Sequence, residues 1–325
     1  AIEVKNLKKY FQVHKKEPGL WGSAKSLIAR KYEQVKAVDN ISFNIEEGEL
    51  VGFIGPNGAG KTTTLKCLSG LLYPTSGKIS VLDFKPYERR PEFLRQISLV
   101  MGQKNQLWWD LPAGETFTLN KEIYEVPKEQ FKKTLNELVK LLEVEEILKV
   151  QVRKLSLGQR MKCELIAALL HSPKVLFLDE PTIGLDVVMQ KKMRDFIKEY
   201  NRRYNATIIL TSHYMGDVKE LCQRVMVIDK GKLVFDGRLS EIIQKYADHK
   251  LISIILAKEV DPKTLDNLGE IKEFAYPKLV FMVKREDTSK LTAKLLERLP
   301  VADLNIEEPA IEDIIRELFT GQNYA

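Results

Sequence analysis

Short apolar runs alternate with segments of helical periodicity over roughly the first two thirds of the chain. Runs typical of strands occupy residues 2 to 10, 41 to 54, Ile97 to Met101, Val175 to Leu178, Thr207 to Leu210 and Arg224 to Ile228. Helical spacing separates these runs, and the stretch Lys128 to Leu148 shows it as an amphipathic helix. Strands that alternate with helices predict an α/β fold with a mainly parallel sheet and ligands at the carboxyl ends of the strands.

The pattern changes after about residue 238. Helices are predicted at Leu239 to Tyr246, Ser289 to Leu299 and Ile311 to Phe319, and alternating runs at Leu251 to Leu256, Ile271 to Ala275 and Leu279 to Val283. We therefore predict a main domain over residues 1–237 and a small α+β domain over residues 238–325. The second domain contains no cluster of catalytic residue types, so packing, dimer support and regulation are the roles open to it.

Composition sets wide limits. The 325 residues exceed a typical single core, and 44% hydrophobic with 30% charged residues is ordinary for a globular protein. Apolar runs stay far below the ~20 residues that cross a bilayer, and charged residues interrupt the first segment, so neither a membrane span nor secretion is expected. Three cysteines without C-x-x-C spacing fit a reducing cytoplasm, and the net charge of +6 alone decides nothing.

The first motif with clear chemistry runs from Gly55 to Thr62. It fits G-x-x-x-x-G-K-[ST] between a strand-like run and a helical one, so its backbone N–H groups can surround phosphate at a helix N-terminus. Lys61 can reach the outer phosphates, and the Thr62 hydroxyl can bind Mg²⁺. The residues predicted to hold nucleotide here are Asn57, Gly58, Ala59, Gly60, Lys61, Thr62 and Thr63.

Polar residues follow three of the other predicted strands. Asp179 and Glu180 end the run Val175 to Leu178, where Asp179 can hold Mg²⁺ through water and Glu180 is a candidate base for the attacking water. Gln103 and His213 follow two further strands, as candidates to contact metal or water and the γ-phosphate. Taken singly, a helix cap, a surface glutamine and a packed histidine are the alternative interpretations.

A second phosphate-binding signature is Leu155-Ser156-Leu157-Gly158-Gln159. Gly158 precedes a predicted helix from Gln159 to Leu170, so the chain has two helix N-termini suited to phosphate but one loop with a lysine. One of the two sites is therefore incomplete.

In their order along the chain, the motifs resemble those of the ATP-binding cassette (ABC) ATPases over residues 2 to about 237. The resemblance implies a P-loop cassette with a helical subdomain at about 103–171, in which Gln103 is the Q-loop glutamine, Gly184-Leu185-Asp186 the D-loop and His213 the switch histidine. It also implies that Ser156, Gly158, Gln159 and Asp186 contact nucleotide, with Thr62, Gln103 and Asp179 at Mg²⁺. Tyr10 lies where the family places an aromatic residue on adenine, and Phe11 is the alternative.

The same resemblance implies partners. Two copies are expected to dimerise head to tail around two ATP, and an integral-membrane permease would hold them at the cytoplasmic face of the cell membrane. Within the family, the chain looks most like exporter ATPases that pair with short six-helix permeases, with an importer ATPase or a soluble ABC factor on ribosomes or nucleic acid as alternatives. Leu157 and Val187 depart from the usual Gly and Pro, which leaves the rate of hydrolysis open; the transported substrate is open as well.

Two further segments carry predictions. An insertion at about 12–37, with apolar residues from Leu20 to Tyr32 at helical spacing and an excess of lysine and arginine, predicts a cationic amphipathic helix. Such a helix can pack on its own domain, dock on a permease or lie on anionic lipid. Trp108 and Trp109 follow Gln103 closely and are either core residues or an exposed permease anchor.

Overall fold

A computed structural model describes residues 1–14, 32–102, 104–212, 214–246, 249–265, 268–309 and 313–314. The chain divides into two compact units, Ala1–Asp236 and Gly237–Ala325. None of the described helices is both long enough and apolar enough to cross a membrane.

Thirteen strands are described: β1 (Ile2–His14), β2 (Tyr32–Ile45), β3 (Leu50–Ile54), β4 (Ser76–Val81), β5 (Ile97–Met101), β6 (Val175–Asp179), β7 (Thr207–Thr211), β8 (Arg224–Asp229), β9 (Lys232–Arg238), β10 (His249–Leu256), β11 (Glu270–Ala275), β12 (Lys278–Lys284) and β13 (Val301–Glu307). The described α-helices are α1 (Lys61–Leu68), α2 (Pro91–Leu94), α3 (Ala113–Ile123), α4 (Lys128–Leu142), α5 (Leu157–Leu169), α6 (Val187–Tyr204), α7 (Met215–Leu221), α8 (Leu239–Tyr246) and α9 (Thr288–Arg298).

The first unit is built on a six-stranded sheet of order β5-β6-β7-β3-β8-β9. The pairs β5–β6, β6–β7, β7–β3 and β3–β8 are all parallel. Strands β6 and β7 are buried along their whole length, which explains their continuous apolar runs. Because the four strands β5, β6, β7 and β3 are neighbours, the loops after their carboxyl ends lie side by side.

A three-stranded antiparallel sheet of order β2-β1-β4 accompanies the parallel sheet. Strands β1 and β2 pair from Ile2 opposite Ile45 to His14 opposite Tyr32. Buried residues from both sheets, including Ile41, Phe43, Phe53 and Phe177, form one apolar core beneath the phosphate loop. Packing of the two sheets on one core fixes the loop between β3 and α1 from below.

The second unit has a four-stranded antiparallel sheet of order β11-β12-β10-β13. Counted in chain order, its strands lie in the order 4-1-3-2, the topology of the ferredoxin-like fold. Its core contains Ile252, Ile254 and Phe281 of the sheet with Leu295 of α9. The short turn Pro262–Leu265 lies where the first helix of that fold would be.

The fold class predicted from the sequence is confirmed, and several boundaries are corrected. The run 41 to 54 is two strands, because a turn at Glu46–Glu49 with Gly48 at φ +76° separates β2 from β3. Helix α4 ends at Leu142, since Glu143 adopts a left-handed conformation at φ 54°. Tyr32 belongs to strand β2 and not to a helix, while the rest of the predicted cationic helix lies outside the described residues.

Candidate functional site

The loop between β3 and α1 forms a small phosphate-sized cavity of about 140 Å³. Its lining is Asn57, Gly58, Ala59, Gly60, Lys61, Thr62, Thr63 and Glu180. At Gly58, an added Cβ would meet open space, whereas at Gly60 (φ +112°) it would lie 2.3 Å from the carbonyl oxygen of Ala37. Gly60 is therefore required by the close approach of the β1–β2 hairpin, while Gly58 leaves the concave side of the loop free for an anion.

Lys61 is largely buried, and its ammonium group donates to the carbonyl oxygens of Gly55 at 2.6 Å and Pro56 at 3.1 Å. Burial lowers the pKa of Lys61, and the negative charges of Glu180 and Asp179 oppose that shift. The positive charge is thus held at the mouth of the loop, where phosphate oxygens can replace backbone carbonyls as its partners.

Asp179, at the end of β6, is joined to the start of α1 and to the end of β7. It accepts a hydrogen bond from the Thr62 hydroxyl at 2.8 Å and one from the Thr211 hydroxyl at 2.7 Å. The backbone N–H of Glu180 donates to the Thr211 hydroxyl oxygen at 3.0 Å and to its carbonyl at 3.1 Å. Thr211 therefore fixes both acidic residues, a role that the sequence reading missed. A hydroxyl at the last position of a buried strand was the available signal.

The backbone at Glu180 is left-handed, with φ 55°. Non-glycine residues rarely adopt this conformation, and they do so preferentially at functional sites. At Gly102, a Cβ would lie 2.1 Å from the Glu180 carbonyl oxygen, so the loop that leads to Gln103 passes directly beside the acidic pair. Gln103 and His213 themselves lie outside the described residues, so their assigned contacts stay predictions.

Tyr10 lies on β1, opposite Lys36 of β2. Its hydroxyl donates to Asp39, which raises the pKa of Tyr10 and lowers that of Asp39, and the Lys36 ammonium lies 5.6 Å from the centre of the Tyr10 ring. Gly231 connects this hairpin to the phosphate loop, because it accepts from Asp39 N–H at 2.7 Å and donates to the Ala59 carbonyl at 2.9 Å. The aromatic ring is thereby linked to the loop.

The second signature forms the start of α5, which begins at Leu157, two residues earlier than the start predicted from Gly158. Ser156 is the N-cap: its hydroxyl accepts from Gln159 N–H at 3.2 Å, and the Gln159 side chain accepts from Ser156 N–H at 3.0 Å. This reciprocal capping box places Gly158 inside the first helical turn. The N-terminus of α5 is exposed at Ser156 and can receive an anion from outside the chain.

The signature also packs on the D-loop. A Cβ at Gly184 would lie 2.8 Å from Leu157 Cδ2, and one at Gly158 would lie 3.1 Å from Met189 Cγ. Asp186 caps α6 by accepting from Met189 N–H at 2.8 Å. The unusual Leu157 therefore fills the space beside Gly184 and joins two motifs of the same chain.

Trp108 and Trp109 are exposed, at 58% and 48% of their surface, so the core-packing alternative is wrong. The backbone beneath them is fixed to the segment before the signature, since Arg153 N–H donates to the Trp109 carbonyl at 3.0 Å. The guanidinium carbon Cζ of Arg160 in α5 lies 5.8 Å from the centre of the Trp109 ring. The loop that carries Trp108 and Trp109, here called the tryptophan loop, is thus in direct contact with α5.

The oxygens of Thr62 and Asp179 fit a divalent cation, because Mg²⁺ prefers hydroxyl, carboxylate and water ligands and keeps several waters. Their separation of 2.8 Å matches neighbouring ligands of one ion. When bound, Mg²⁺ supplies charge neutralisation on the phosphates. Across the part of the chain that the structure describes, no group of three or more His, Cys, Asp or Glu residues could hold a metal ion.

Comparison with known proteins agrees with this geometry. A family model described as ABC transporter matches residues 38–183, and one described as the C-terminal domain of EvrA-like ABC transporters matches residues 248–307. The dimeric cassette MJ0796 in a post-hydrolysis state bound to ADP and Pi has the same fold, with a TM-score of 0.61 at 24% identity over 74% of this chain and 99% of that one.

Among relatives, the bacitracin transport ATP-binding protein BcrA of Bacillus licheniformis is 34% identical over 69% of this chain and 73% of its own length. The ABC transporter ATP-binding protein NatA of Bacillus subtilis is 33% identical over 71% of this chain and 93% of its own length. The linearmycin resistance ATP-binding protein LnrL of Bacillus subtilis is 27% identical over 91% of this chain and 97% of its own length. With its phosphate loop, acidic pair and signature in place, the chain belongs to the ATP-binding subunits of the ABC transporter family and is an ATPase of that family.

Proposed function

We propose that this chain is the ATP-hydrolysing subunit of a membrane ABC exporter. It binds Mg-ATP at the loop before α1, dimerises head to tail with a second copy or a homologous ATPase, and drives substrate through permease subunits at the cytoplasmic face of the membrane. The observation that carries the export assignment is the alignment with LnrL, which runs over 91% of this chain and so extends beyond the cassette.

The cassette alone does not give the direction of transport. The methionine import ATP-binding protein MetN of Bacillus subtilis is 33% identical over 73% of this chain and 72% of its own length. The region after the cassette is more discriminating, because it matches the EvrA-like C-terminal domain and lies within the span aligned with a resistance protein. This favours export over import.

For the catalytic roles, we propose Glu180 as the base, with Gln103 and His213 contacting the attacking water, metal or γ-phosphate. Support comes from the positions along the chain: Asp179 ends β6 and Glu180 follows it, while Thr211 ends the adjacent β7 and His213 follows two residues later in the sequence. The parallel pairing brings Asp179 and Thr211 to one edge of the sheet, where Asp179 accepts from the Thr62 hydroxyl. Adenine stacking on Tyr10 belongs to the same proposal.

The dimer proposal rests on two exposed features. Ser156 lies at the exposed N-terminus of α5. Helix α6, which follows the D-loop, begins with Val187 and Val188, which are 77% and 68% exposed. Apolar residues beside an anion-binding helix terminus are typical of a surface that a partner covers. A second copy would add the lysine-bearing loop that this helix terminus lacks.

For the permease, we propose a groove of about 670 Å³ whose lining includes Gln106, two residues before Trp108 in the sequence. Its wall includes Leu71 and Ile123, which are 49% and 59% exposed, and the pair Arg95–Glu125. Apolar walls with a charged rim suit an amphipathic helix of a membrane protein.

Copurification tests the proposal. The tagged chain, expressed together with the membrane proteins encoded beside it and extracted in mild detergent, should carry a multi-span protein in fixed stoichiometry and show ATPase activity. Ribosomal particles or nucleic acid in place of a membrane protein would support the soluble ABC factor. A requirement for an external substrate-binding protein would support the importer.

A further inference from the structure

A buried carboxylate outside the acidic pair connects several motifs. Asp217, in α7, is fully buried and accepts hydrogen bonds at one oxygen, Oδ2, from the Thr182 hydroxyl at 2.5 Å and the Ser212 hydroxyl at 2.6 Å. Its other oxygen accepts from the Arg194 guanidinium at 3.1 Å. Arg194 also donates to Glu220 at 2.6 Å, so the buried charge of Asp217 is neutralised by a residue of α6 that is itself held in place.

The two hydroxyl groups belong to the turns that follow β6 and β7. Thr182 follows Glu180 by two residues and precedes the D-loop, and it is 1% exposed. Ser212 immediately precedes His213, and its oxygen also accepts from the backbone N–H of Tyr214 at 3.0 Å. Ser212 is thus tied both to the backbone of Tyr214 and to the carboxylate of Asp217.

We propose that Asp217 is a positioning residue that sets the turn of Glu180 and the turn of His213 at a fixed separation. One oxygen atom that accepts from both turns fixes the distance between them, since the carboxylate is held by Arg194 and cannot move to follow a single partner. Hydrolysis needs base and γ-phosphate contact in place at the same time, whereas ATP binding depends on the loop before α1. Loss of the contact therefore lowers turnover and leaves nucleotide affinity intact.

A pair of substitutions at Thr182 tests this in the full-length chain. Thr182→Val keeps the shape of the side chain and removes the hydroxyl, and kcat for ATP hydrolysis should fall at least about tenfold, as expected when reacting groups are misplaced. The Kd for a fluorescent ATP analogue should stay within about twofold, because no contact of the phosphate loop changes. Thr182→Ser restores the hydroxyl and should restore kcat.

Ser212→Ala extends the test to the second turn. Because both hydroxyl groups act through the same oxygen, the double variant Thr182→Val/Ser212→Ala should lose less activity than the product of the two single losses. Thr116→Val is the matched control: Thr116 is also buried, its hydroxyl has no hydrogen-bond partner among the residues that the structure describes, and its removal should leave kcat unchanged.

An unchanged kcat in Thr182→Val would overturn the proposal. A second contrary result would be that Thr182→Val lowers kcat, nucleotide affinity and melting temperature together, while Thr182→Ser restores only the melting temperature. That pattern would indicate a purely structural role for the cluster. The inference rests on the proposed roles of Glu180 and His213, and Glu180→Gln measured alongside separates the two. Normal turnover in Glu180→Gln refutes the base assignment, whatever Thr182→Val does.

Discussion

At the scale of single residues, the acidic pair is divided between two tasks by its hydrogen bonds. Asp179 receives two hydroxyl donors, from Thr62 and Thr211, and is 9% exposed, so both of its oxygens are held in place, as suits the metal ligand that we propose. Glu180 follows in a left-handed conformation and lines the phosphate cavity. The turn directs the second carboxylate towards the space where the γ-phosphate and water would lie.

Glu180→Gln should reduce turnover by ~10² to 10⁴ with nearly unchanged ATP affinity, because the amide keeps the shape of the side chain but has no basicity. Steady-state hydrolysis and equilibrium binding of a fluorescent ATP analogue measure the two quantities. Lys61→Ala serves as the contrast, since it should lose binding as well. Substantial residual turnover in pure Glu180→Gln would transfer the base role to another group.

Glu164 of α5 is a buried carboxyl group, 2% exposed, and burial raises its pKa from 4.5 to about 7 against the opposing effects of Arg160 and the Gln106 N–H. Between these values the native state binds more protons than the unfolded state, so the free energy of unfolding falls as pH rises through this window. Glu164→Gln cannot ionise. Its stability relative to wild type should therefore increase from pH 4.5 to 7, by up to about 3 kcal/mol.

Denaturant unfolding at several pH values measures this difference. The exposed Glu129 provides the control, since Glu129→Gln should follow the wild-type pH dependence. A stability difference between Glu164→Gln and wild type that stays constant with pH would show that Glu164 does not change its protonation in this range.

At the scale of elements, the tryptophan loop is held by backbone hydrogen bonds and leaves its side chains exposed. Replacing Trp108 and Trp109 together by Ala should therefore abolish copurification with the permease and leave the melting temperature of the isolated chain unchanged. Leu296→Ala removes a similarly exposed apolar residue in the second unit and should leave the complex intact. A melting temperature lowered by several degrees in the tryptophan variant would argue for a structural role.

The β1–β2 hairpin is paired out to His14 opposite Tyr32, so the segment 15–31 can be replaced by a two-residue Asn-Gly turn without disturbing the strands. Basal ATP hydrolysis should persist, because the phosphate loop approaches the hairpin at Ala37 and is linked to Asp39 through Gly231, and both residues lie away from the replaced end. Recovery of the chain with membranes, or its stimulation by the permease, should decrease. Equal membrane recovery at low and high salt in both proteins would remove the lipid interpretation of this segment.

The sequence predicted elements where one local pattern dominates. Strand β5 was predicted to the residue, and β6 and β7 within one residue, because buried parallel strands are continuous apolar runs. Helix α5 was misplaced by two residues, since its start depends on a capping box between Ser156 and Gln159 and not on the glycine. The roles of Thr211 and Asp217 depend on strand order and helix packing, which no local pattern encodes.

At the scale of the whole molecule, we expect phosphate at two helix N-termini, those of α1 and α5, of which only that of α1 has a lysine in its first turn. Lys61 stands at the start of α1, whereas the exposed start of α5 has no basic residue in its first three positions. A complete site with both elements around one γ-phosphate would therefore combine the phosphate loop of one copy with Ser156 of another. A symmetric pair satisfies both sites at once, as expected for a two-fold dimer.

Mixing two inactive variants tests that arrangement. Lys61→Ala lacks a working phosphate loop, and Ser156→Asp keeps a good N-cap but places a negative charge where phosphate would bind, so each alone should show no single-turnover hydrolysis. In an equal mixture, half of the dimers are mixed, and each has one site built from the intact loop of one copy and the intact signature of the other. About a quarter of the wild-type active sites should return if subunits pair at random. Activity could instead stay at the background in the mixture although both variants are folded and able to dimerise. Loop and signature would then act within the same chain, or one intact site in a dimer would be insufficient for hydrolysis. Either result would contradict a head-to-tail dimer whose two sites work independently.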